Sequence, residues 1–65
     1  MNEDEQTLLL IKGAITEATP LQQQTINACA QDLRDRIKLA EATEQGMGIM
    51  AFALVGAEVQ LGRLS

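Results

Sequence analysis

Apolar residues recur at helical spacing in three segments of this chain, and each segment has a different balance of apolar and polar faces. The first, about 3–18, places Leu8, Ile11, Ala14, Ile15 and Ala18 on one face, with Leu9 and Leu10 outside it. Asn2 is a natural N-cap with Glu5 three residues on, and Gly13 weakens the middle of the helix. The second, about 20–44, is the most regular. Ile26, Cys29, Ala30, Leu33, Ile37 and Ala40 share one stripe, and Gln24, Asn27, Gln31, Arg34, Asp35 and Lys38 oppose it. Thr19-Pro20 marks its start, because proline suits the first helical position, disfavours helical geometry before it, and leaves Thr19 and Gln22 spaced as a capping box.

The third segment, about 48–63, contains the chain's organising stretch, Gly46 to Ala57, with no charged side chain. Projected at about 100° per residue, Met47, Met50, Leu54, Ala57, Leu61 and Leu64 form one seam with alternating spacings of three and four. Ile49, Phe52, Ala53, Gly56 and Val59 belong to the opposite side. The seam is expected to meet the chain's own helices. The second face then needs a further partner, which predicts a homo-oligomer with Ile49, Phe52, Ala53, Gly56 and Val59 at the interface. A two-fold dimer is the default. Gly46-Met47-Gly48 makes a tight connection after the second helix. The fold class expected is all-α: helices two and three form an antiparallel hairpin, helix one packs across it, and oligomerisation completes the unit. No segment alternates like a strand.

Composition sharpens this expectation. Sixty-five residues make a single domain that buries a modest fraction of its surface. One cysteine, no histidine and a single aromatic, Phe52, leave no intrachain disulfide and no zinc ligand set. Oligomerisation remains as the stabilising device. No cofactor and no metal are expected. The apolar run is too short and too soon interrupted by Glu58, Gln60 and Arg63 for a membrane span. A free thiol without an N-terminal signal segment points to the cytoplasm.

The side chains offer little for catalysis. No histidine or tyrosine is present to act as a base, Cys29 has no activating partner and lies on an apolar stripe, and the glycines do not match a phosphate-binding fingerprint. The expectation is a non-enzymatic interaction protein, such as an inhibitor, adaptor or assembly factor of the kind a phage or mobile element encodes. Its protein partner would meet Glu3, Asp4, Glu5, Leu9 and Leu10. The acids also have a plainer role, placing negative charge at the positive end of the helix dipole.

Two other readings follow from the second helix. Arg34, Arg36 and Lys38, with Asn27 and Gln31, could meet an anionic metabolite or nucleotide between subunits, although Asp32, Asp35 and Glu41 largely neutralise the bases. A DNA-binding regulator is the weaker alternative, since the net charge is −4 and no phosphate-binding bases flank Gln22, Gln23 and Gln24.

Overall fold

The computed structural model describes residues 2–64 and is all-helical, with α1 at Glu3–Thr16, α2 at Pro20–Thr43 and α3 at Met47–Gln60. The chain divides into two units, Met1–Ala30 and Gln31–Ser65, with α2 running through both.

In the first unit, local chemistry sets the helix ends. The Asn2 side chain accepts from the Glu5 N–H at 2.8 Å, satisfying one of the unpaired donors of the first turn, where Glu3, Asp4 and Glu5 also oppose the helix dipole. Thr19 and Gln22 form a reciprocal capping box: the Gln22 N–H donates to Thr19 Oγ1 at 3.1 Å, and the Thr19 N–H donates to Gln22 Oε1 at 2.9 Å. α1 stops at Thr16, short of Ala18, because its terminal carbonyls find other donors. The Thr16 hydroxyl donates back to Lys12 and Gly13, and Gln23 Nε2 donates to the carbonyls of Thr16 and Ala18.

In the second unit, α2 and α3 pack against each other, joined by a turn in which Gly46 takes φ 91°. That left-handed conformation suits a residue without Cβ. α3 closes with a paired-bond cap built on Gly62 at φ 70°: the Arg63 N–H donates to the Glu58 carbonyl at 2.8 Å, and the Gly62 N–H donates to the Val59 carbonyl at 3.0 Å. This cap ends the helix at Gln60, ahead of the expected Arg63.

Gly48 is the one buried residue among those described. It lies against the α2 backbone so closely that a Cβ there would overlap the Ile37 carbonyl oxygen and come within 3.0 Å of the Glu41 side chain. This contact fixes the rotation of α3 about its own axis. Residues one, two and three turns beyond Gly48 face α2: Ala51 and Phe52, then Val55 and Gly56, then Val59. The Met47, Met50, Leu54, Leu61 seam, expected to meet α2, does not line the groove beside α2, which Phe52, Val55 and Val59 line instead.

Candidate functional site

Within the second unit, α2 and α3 frame a groove with a volume of about 490 Å³. Leu33, Ile37 and Ala40 of α2 form one wall, continuing the apolar stripe expected for that helix. Phe52, Val55 and Val59 of α3 form the other, with Gly48 and Gly56 leaving the backbone bare between them. Arg36 and Gln60 contribute the polar margin. Of the five residues expected at an oligomer interface, Phe52, Gly56 and Val59 line this groove, while Ile49 and Ala53 lie outside it.

The start of α3 is held by a carboxylate that the helical pattern gave no reason to single out. Gly46 has no side chain to cap α3, and the task falls to Glu41 from the end of α2. Glu41 Oε1 accepts from the Gly46 N–H at 3.1 Å, and Oε2 accepts from the N–H groups of Gly48 at 2.6 Å and Ile49 at 3.2 Å. Three backbone donors at a helix start thus share one anion, where the dipole also favours negative charge. The Gly46 N–H foremost, then that of Ile49, hold the Glu41 carboxyl below its ordinary pKa; burial opposes them, and the Gly48 N–H adds the least of the lowering effects. The signal available in sequence was an acid five residues ahead of a Gly-x-Gly turn, within reach of the next helix's first N–H groups.

The other expected site residues are dispersed. Glu3, Asp4 and Glu5 occupy the exposed first turn of α1, and Leu9 and Leu10 are 53% and 75% exposed. Asn27 lies in the first unit, and Gln31, Arg34 and Lys38 lie in the second. Arg34 Nη1 donates to Gln31 Oε1 at 3.0 Å, and Gln31 Nε2 donates to Asp35 Oδ1 at 2.9 Å. This exposed chain runs from a base to an acid on one helix face, an arrangement typical of a solvated surface. Cys29, expected to be covered on the apolar stripe, is exposed. Among the described residues, no group of three metal-ligating side chains comes together, and no helix is long and apolar enough to cross a membrane.

No family model, curated protein or solved structure matches the chain, so its reading rests on its own residues.

Proposed function

We propose that the chain is a non-enzymatic helical interaction protein that acts as a homo-oligomer, a two-fold dimer in its simplest form, and engages a protein partner through α1. In the second unit, α2 and α3 form an antiparallel hairpin, a reading supported by the short Gly46 turn and by the walls of the groove, which run from Leu33 to Ala40 and from Gly48 to Gln60.

One observation carries this reading: no hydrophobic side chain is buried among the described residues. Hydrophobic residues make up 46% of the sequence, and withdrawing apolar surface from water is the main favourable term in folding. A chain that leaves these side chains in water alone gains that term by covering them against another chain. On α1, the run from Leu8 to Ile11 is 50–75% exposed and follows an acidic first turn, which suits a partner surface combining apolar and basic groups.

Thermal unfolding tests the proposal. Association that occurs only in the folded state raises the melting temperature as protein concentration increases. The expected result, followed by circular dichroism, is a midpoint that climbs steadily across a dilution series. A midpoint independent of concentration contradicts self-association.

A further inference from the structure

We draw no further inference here: the strongest candidate, the apolar groove between α2 and α3 walled by Leu33, Ile37, Phe52 and Val59, carries none because nothing in the structure shows what covers it.

Discussion

Substituting Gly48 with alanine should lower the free energy of unfolding by about 1–3 kcal/mol, and substitution with valine should detach α3 from α2 altogether. The direction is not obvious from helix propensity, because alanine is the better helix former by up to about 1 kcal/mol. Geometry decides it. The added Cβ overlaps the Ile37 carbonyl oxygen, a backbone atom held by α2, and crowds the Glu41 carboxylate that caps α3. Neither can yield without breaking a hydrogen-bonded element. Gly13→Ala is the matched control: no atom lies within 4 Å of a Cβ there, so the propensity gain should appear unopposed as a modest stabilisation. Chemical denaturation of the three proteins gives the comparison. Equal stabilisation by both alanines would show that Gly48 does not pack as described.

Loss of the Glu41 carboxylate should destabilise the second unit more than loss of any other single acid, because among the described residues no other carboxylate accepts from three backbone donors. Glu41→Ala leaves the N–H groups of Gly46, Gly48 and Ile49 without this acceptor, and Glu41→Gln keeps the shape but removes the charge that the helix start favours. The effect has a defined pH dependence. The folded pKa of Glu41 lies below the ordinary value of 4.5, so its contribution is present above 4.5 and is lost as pH falls through the lower folded value. Wild-type protein should therefore be more stable than Glu41→Gln at neutral pH, and the two melting temperatures should converge as the solution is acidified below 4.5. Taking the difference between the two proteins removes the titration of the remaining carboxylates. A difference that persists unchanged in acid would mean that charge at Glu41 contributes nothing to the cap.

These two residues also show where sequence patterning stops. Helix number and positions were legible because the signals are local: Asn2 with Glu5, Thr19-Pro20 with Gln22, and a glycine turn at Gly46 each act within a few residues. The stripe of α2 from Leu33 to Ala40 was legible too, since it is apolar on one side only. The orientation of α3 was not. Both its faces are apolar, so hydrophobic periodicity alone has no preference between them, and the deciding residue, Gly48, carries no side chain for such a count to weigh. The capping role of Glu41 was not legible because in sequence it reads as one of the acids that neutralise the bases of α2, whereas its partners lie across the turn. Cys29 shares a stripe with apolar residues yet is exposed in the single chain, since lying on a stripe does not ensure that another element covers it.

If the chain completes its hydrophobic burial against a copy of itself, sedimentation equilibrium of the wild-type protein over a wide concentration range should give a mass approaching twice the 7.0 kDa of one chain as concentration rises, with reversible dissociation on dilution. A single ideal species of 7.0 kDa at every concentration would contradict it.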